Sequence, residues 1–364
     1  MANLIVFIDA LPFVHHELIC KHITQIDNIS KLTPEIGYSS NQHVALFSGK
    51  TPREIGYLTD YTLNKDALPG FSGRYIKHSN FSNYVVRKIS SYITGNFSNI
   101  PLGMSDIFFN NGNYPLSSKE KLVSLNSGYE KFDVIVSDID KDIEILDKLL
   151  AQDTMSKDVF LVLNSVDHNG HIYGVSDNRY INHLDELLPR VNEFIGKFKS
   201  FNNDDCNILL LSDHGMSDKP TKKRLVLEDE FGKQSPDKYI YFIDSSILKI
   251  WVFDSQLKKE ISDYLNKMSY GRVLSVEDLD YYGIDEKFGD LIFVVHSDYY
   301  LEPQYFGFGL INKVNGMHGA LPDSEYQFGI AISNRSIESS YRNLDIYNDV
   351  IIKNGFLDEE HNNI

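Results

Sequence analysis

Apolar residues recur with two different periods along this chain. Unbroken or nearly unbroken runs of strand length occur at Leu4–Ile8, Asp133–Val136, Val159–Leu163, Asn207–Leu211 and Phe328–Ile332. Runs without alternation suit strands covered on both faces, as in parallel sheets. Between them the spacing turns helical. Ile139, Ile143, Leu146 and Leu150 share one face of an expected helix over Asp138–Ala151, and Tyr180–Phe201 reads as an amphipathic helix. Asn41–Gly49 reads as a helix closed by Gly49 and followed by Pro52, and a last helix is expected over Leu344–Ile352. This alternation predicts an α/β fold with a doubly wound, mostly parallel sheet sandwiched by helices.

Two stretches interrupt the rhythm. Residues 64–129 are rich in Ser, Asn, Gly and aromatics, with little charge and weak periodicity. They read as a first insertion, either a cap over a site or a long packed surface excursion. Residues 220–305 read as a second insertion, a small α+β unit. Its strands are expected at Tyr239–Ile243, Ile247–Phe253 and Asp290–Val295, with a helix over Gln256–Met268. The core is then 1–63, 130–219 and 306–364, and the two insertions are expected to form its cap.

Composition adds limits rather than a function. The 364 residues are 42% hydrophobic and 24% charged, as in an ordinary globular protein. No apolar run reaches the roughly 20 residues that span a bilayer. The N-terminus lacks a basic segment and its apolar run is broken by Asp9, so it reads as a buried strand and not a signal peptide. These features point to the cytoplasm and away from a membrane. Cys20 and Cys206 are the only cysteines and match no metal or redox spacing, so both read as packed thiols. The net charge of −16 argues against a nucleic-acid polymer or an anionic membrane as partner. A small anionic substrate remains compatible, because a bound cation reverses the local field. So does a homo-oligomer.

Chemistry-bearing residues follow the predicted strands. Asp9 ends the first, Asp167 and His171 follow the strand at Val159–Leu163, and Asp213 and His214 follow Asn207–Leu211. His318 lies in Gly316-Met-His-Gly319, shortly before the last predicted strand. Loops at the carboxyl edge of a parallel sheet converge, so these groups can meet. Three carboxylates and three imidazoles make a ligand set suited to Zn²⁺ or another divalent first-row ion. The stretch Thr33–Gly49 adds hydroxyls at an expected helix start. Ser39 with Gln42 reads as a capping box, a purely structural use. A hydroxyl at that position can also attack an anionic centre held by the helix N-terminus. Both uses stay open from this stretch alone.

Taken together the motifs resemble the alkaline phosphatase superfamily. They are Asp9 after the first strand, a hydroxyl six residues before Ala45-Leu-Phe-Ser-Gly49, Asp167-x-x-Gly-His171, Asp213-His-Gly-Met216 and Gly316-Met-His-Gly319. The branch most similar is that of type I phosphodiesterases and nucleotide pyrophosphatases, which also holds phosphonoacetate hydrolase. The resemblance covers roughly residues 1–60, 150–220 and 285–350 and implies an alkaline-phosphatase-like core with two divalent ions, Zn²⁺ first and Mn²⁺ or another first-row ion next. It implies that Asp9, Asp213, His214 and the nucleophile hold one ion, and that Asp167, His171 and His318 hold the other. It aligns Ser39 with the family nucleophile, with Ser40 as the fallback. Asn41, Tyr57 and Asp60 are the expected substrate-binding residues. Asp60 stands 21 residues beyond Ser39, where members of the branch place an Asn.

The function implied is hydrolysis of a phosphodiester or pyrophosphate through a phosphoseryl intermediate. The alternatives on the same core are a phosphonate hydrolase or a phosphomonoesterase. From another class, the alternative is a non-catalytic binding or structural member of the fold. The expected partner is a small substrate carrying phosphate or phosphonate.

Overall fold

The computed structural model describes residues 1–71, 100–101, 103–110, 114–305 and 314–358. The chain forms two compact units. The first comprises Met1–Thr51, Asn113–Lys219 and Val314–Ile364, and the second Pro52–Gly112 and Pro220–Lys313.

The first unit is built on seven strands: β1 (Ala2–Ile8), β2 (Asn28–Thr33), β3 (Asp133–Val136), β4 (Asp158–Leu163), β5 (Cys206–Leu211), β6 (Gly329–Ser333) and β7 (Ser340–Arg342). Their order across the sheet is β7-β2-β6-β5-β1-β4-β3. β1 runs parallel to both β4 and β5, and β3 parallel to β4. β6 is antiparallel to both of its neighbours, and β7 is parallel to β2. Six strands therefore share one direction and only β6 is reversed.

The unbroken apolar runs have the expected cause. In β1, Leu4, Val6 and Ile8 enter one hydrophobic core, while Ile5 and Phe7 enter the other. The first core takes Tyr180, Leu184, Leu188, Val191 and Phe198 from the amphipathic helix Asn178–Phe201. The second takes Leu46 and Phe47 from the helix Ser39–Ser48, and Tyr347 and Val350 from the C-terminal helical segment. A strand with alternating polarity would leave one of these cores unfilled. Burial of a side chain such as Phe7 or Leu210 contributes about 1.5–3 kcal/mol.

The boundaries of the units differ from those read in the sequence. Residues 113–129 belong with the sheet, because Leu116, Leu122 and Tyr129 are buried against Phe47, Phe132 and Phe160. Residues 52–63 belong with the second unit. The middle of the first insertion, with Tyr75, Phe81 and Tyr84, lies outside the described residues.

The second unit carries a four-stranded antiparallel sheet in the order Tyr239–Asp244, Ile247–Val252, Leu291–Val295, Gly271–Val273. The helix Ser255–Leu265 is capped by Asp254, whose carboxylate accepts from the amides of Gln256 and Leu257. Tyr61–Leu63 pairs with Phe108–Asn110, and Phe108 packs edge-on against Phe242, so parts of both expected insertions fold together. Its interior holds Lys249, which donates to Asp244 Oδ2 at 2.9 Å and to the Tyr61 carbonyl at 2.6 Å. Among the described residues no helix is long and apolar enough to cross a membrane.

Candidate metal centre

The site lies in the first unit, at the carboxyl edge of the parallel strands. Asp9 follows β1, and its amide is held by the Leu163 carbonyl at the end of β4 (2.9 Å). Asp213 and His214 follow β5. Asp213 is fully buried, and its Oδ1 accepts from the amides of Ala10 (3.3 Å) and His214 (3.0 Å). The reversed direction of β6 brings the segment that precedes it, with His318, to this same edge. That segment is pinned by Gly316–Met317 pairing antiparallel with Ser217–Asp218.

Asp167 and His171 sit on a short helix, Ser165–Tyr173, rather than on a loop. Four residues apart, they share a face, and His171 Nε2 lies 3.4 Å from Asp167 Oδ1. The start of this helix is capped from elsewhere. Asp142 accepts from the amides of Asn164 (3.2 Å) and Ser165 (2.8 Å) and from the Ser165 hydroxyl (2.5 Å). The glycines of two motifs are needed for close approach. A Cβ on Gly316 would stand 2.4 Å from the Gly170 carbonyl oxygen and 2.3 Å from Met216 Sδ.

The imidazoles are oriented by the backbone. His171 Nδ1–H donates to the Gly316 carbonyl and His214 Nδ1–H to the Gly215 carbonyl, each at 2.8 Å. This leaves each Nε2 with its lone pair toward the cluster, the arrangement typical of histidines that bind metals. His214 Nε2 is 3.7 Å from Asp9 Oδ1, 3.3 Å from Asp213 Oδ2 and 3.1 Å from Ser39 Oγ. His318 Nε2 is 3.6 Å from Asp167 Oδ1, and its ring stacks on that of His214 at 3.9 Å.

Two groups have ligand atoms within 4.8 Å of one another: Asp9, Asp213 and His214, and Asp167, His214 and His318. The first brings together three of the four residues expected at one ion, and the fourth, Ser39, approaches it through His214. In the second, His214 stands where His171 was expected, and His171 touches the group through Asp167. The chemistry of the set fits divalent ions. Asp9 Oδ1, Asp167 Oδ1 and Asp213 Oδ2 are buried with no hydrogen-bond partner among the described residues. Burial and the charges of Asp213 and Asp167 push the Asp9 carboxyl well above its usual range. Burial alone would raise Asp213 too, but His214 and then His43 hold it low. Burial acts upward on Asp167 as well and is outweighed by His171, which holds the carboxyl well below its usual range. In turn Asp167 outweighs the effect of burial on His171 and raises it to about 9. Burial and the neighbouring His214 push His318 well below the usual imidazole value.

Ser39 departs from the capping reading. The helix runs Ser39–Ser48, Tyr38 is its N-cap, and no side chain caps it. Ser39 is thus the first helical residue, and its hydroxyl faces His214. Gln42 does not close a capping box: its Oε1 accepts from the Glu35 amide and from Asn343 Nδ2, both at 2.8 Å. Ser40 is fully buried. Asn41 is buried, and its Nδ2 donates to the Ile36 carbonyl at 3.0 Å. Tyr57 and Asp60 lie in the second unit, both buried, with the tyrosine hydroxyl donating to Asp60 Oδ1 at 2.5 Å.

A further histidine, not among the expected ligands, belongs to the cluster. His43 Nε2 lies 3.4 Å from Asp213 Oδ2, with its ring edge-on to Phe7. The signal was present in the spacing, since His43 stands one helical turn after Ser39. His15 Nε2–H donates to the Val175 carbonyl at 2.9 Å, and His168 sits near Asp140 on the surface, so neither joins the site.

A family model described as type I phosphodiesterase / nucleotide pyrophosphatase matches residues 92–304, more than half of the chain. The chain belongs to the type I phosphodiesterase / nucleotide pyrophosphatase family. The matched segment includes Asp167, His171, Asp213 and His214, and the fold joins Asp9, Ser39 and His318 to them. No curated protein matches the sequence.

Among solved structures, murine ectonucleotide pyrophosphatase / phosphodiesterase 5 is 12% identical, with 96% of this chain and 94% of that one covered at a TM-score of 0.58. The human protein of the same name is 14% identical, with 95% and 93% covered at 0.56. An inactive form of the murine protein in complex with AMP is 13% identical, with 96% and 94% covered at 0.54. At these identities the likeness establishes the fold, a mixed α/β core around a mostly parallel sheet. Family membership supports a phosphoester hydrolase as the class of activity.

Proposed function

We propose that this chain is a two-metal phosphohydrolase of the phosphodiesterase/nucleotide pyrophosphatase type, acting through a phosphoseryl intermediate on Ser39. The observation that carries the reading is the 3.1 Å approach of Ser39 Oγ to His214 Nε2, on the edge of a cluster that also holds Asp9 and Asp213. Asp9, Asp213, His214 and Ser39 are the proposed ligands of one ion, and Asp167, His171 and His318 those of the other. Bound there, the ions would lower the pKa of the serine hydroxyl and offset charge on the attacking and leaving oxygens.

The chain's own residues do the rest. Gly215 and Gly316 fix the histidine rings, so no reorientation is needed when substrate arrives. Helix Ser39–Ser48 presents Ser39 at its positive end, which favours an incoming phosphate. In the first step the Ser39 Oγ–P bond forms as the bond from phosphorus to the leaving oxygen breaks. In the second, a water oxygen attacks phosphorus and the Oγ–P bond breaks, returning the serine. The AMP held by the murine relative supports a nucleotide-like substrate.

Ser39→Ala is expected to abolish hydrolysis of bis-p-nitrophenyl phosphate while the protein keeps its bound metal. Ser40→Ala is expected to stay active. Full activity in Ser39→Ala would overturn the assignment. Parallel assays with p-nitrophenyl phosphate and phosphonoacetate separate diesterase from monoesterase and phosphonatase.

A further inference from the structure

We propose that Asn343 is a positioning residue, which holds the Ser39 helix in register with the Asp213–His214 turn. The inference rests on Ser39 as nucleophile for its kinetic part and on the cluster alone for its metal part. Asn343 is fully buried, and its amide has two N–H groups. One donates to Gln42 Oε1 at 2.8 Å and the other to the Asp213 carbonyl at 2.5 Å. Gln42 stands on the first turn of the helix that Ser39 begins, and Asp213 adjoins His214, the ring that meets Ser39 Oγ.

The far side of Gln42 is fixed as well. Its Oε1 also accepts from the Glu35 amide, and its Nε2 donates to the Glu35 carbonyl. The Glu35 carboxylate takes both Nε (2.8 Å) and Nη2 (2.5 Å) of Arg342, the residue next to Asn343. Glu35, Gln42, Asn343 and Arg342 thus close a ring that joins the chain before the Ser39 helix to the segment after β7. The Asp213 carbonyl is where that ring reaches the metal cluster. The carbonyl of a ligating residue is a short lever, because rotating it turns both Asp213 and His214. A donor lost here leaves a buried acceptor unsatisfied and the turn free to shift.

The test uses the full-length, metal-loaded protein with two substitutions, Asn343→Leu for lost donors and Asn343→Asp for the same shape with donors replaced by acceptors. Expected for both are a fall in kcat of about 10- to 100-fold with KM changed less than about threefold, and Zn²⁺ lost about 10- to 100-fold more readily to a competing chelator. Gln42→Leu should give a similar loss, and the double variant Gln42→Leu/Asn343→Leu less than the product of the two. Lowered thermal stability with unchanged kcat and Zn²⁺ retention would overturn the proposal, as would failure of both Asn343 variants to fold or full additivity in the double variant. Activity in Ser39→Ala would remove the nucleophile reading instead, while the Zn²⁺ measurement would still judge Asn343.

Discussion

The two halves of the candidate metal cluster are balanced in opposite ways. Asp167 lies beside His171 and near His318, and the imidazoles hold its carboxyl low while His171 is raised to about 9. That half is close to neutral on its own and partly open, with side-chain exposures of 23% for Asp167 and 35% for His171. The other half is closed, with Asp213 and His214 almost wholly buried. There Asp9 has its carboxyl driven well up by burial and by the charges of Asp213 and Asp167. One half carries its own counter-charge. The other holds a carboxyl that its surroundings disfavour in ionised form, so a cation bound there would couple to folding. The same ligand types therefore do different things, and the difference lies at Asp9, which His214 approaches at 3.7 Å while Asp213 and Asp167 both add like charge.

The largest effect should come from the half that depends on a cation. Asp213→Asn is expected to lower turnover by about a thousand-fold or more and to remove one ion per chain. The self-balanced half should keep its ion. Turnover and elemental analysis on the same preparation check both, and unchanged metal content would break the distinction between the halves.

Much of this was readable from the sequence, for a physical reason. Unbroken runs such as Leu4–Ile8 can only be covered on both faces, so the parallel sheet and its loaded edge followed from hydrophobic pattern alone. The turn after a strand inherits its place from the strand, which is why Asp9 and Asp213 could be placed at that edge. His318 comes to the same edge although its strand is antiparallel, because the approach to a reversed strand lies at the same edge as the exits of its neighbours. What failed depends on side-chain partners, which no local pattern records. Ser39 and Gln42 have the spacing of a capping box, but Gln42 is taken by Glu35 and Asn343, one of them 301 residues away. His43 is likewise an ordinary helix residue until Asp213 is placed beside it. Unit boundaries failed because composition changes near residues 64 and 129 while the packing changes near 51 and 113.

Stability without metal gives a smaller effect that should have opposite signs in the two halves. In chelated protein at pH 8, Asp9→Asn removes a carboxyl that burial and two like charges disfavour, and should stabilise by about 1 kcal/mol. Asp167→Asn breaks the partner of a protonated His171 and should destabilise by about 1–3 kcal/mol. Urea midpoints of the two variants, measured with excess chelator, test this. Shifts of the same sign would mean that the halves are not electrostatically distinct.

The smallest effect is a slope in pH, and its sign is fixed by the pair in the balanced half. His171 is raised in the fold to about 9 from an ordinary value near 6.5. Its contribution is therefore complete below about pH 6.5 and is lost as the pH rises through about 9. Asp167 is held below its ordinary value, so its contribution is present above about pH 4 and is lost in acid. The contribution of this pair is then complete between about pH 4 and 6.5 and is lost steadily toward pH 9 in metal-free protein. Asp9 adds a separate loss that begins above about pH 4, where the unfolded carboxyl ionises and the buried one resists doing so. Metal-loaded protein should not show this loss, since bound cations favour ionised carboxylates and neutral imidazoles. Thermal midpoints at half-unit steps from pH 5 to 9, with and without chelator, give the two curves. In His171→Gln the chelated curve should be markedly less steep between about pH 6.5 and 9. If that curve keeps its full slope, the alkaline loss belongs to the closed half alone, and the neutral balance assigned to Asp167 and His171 is wrong.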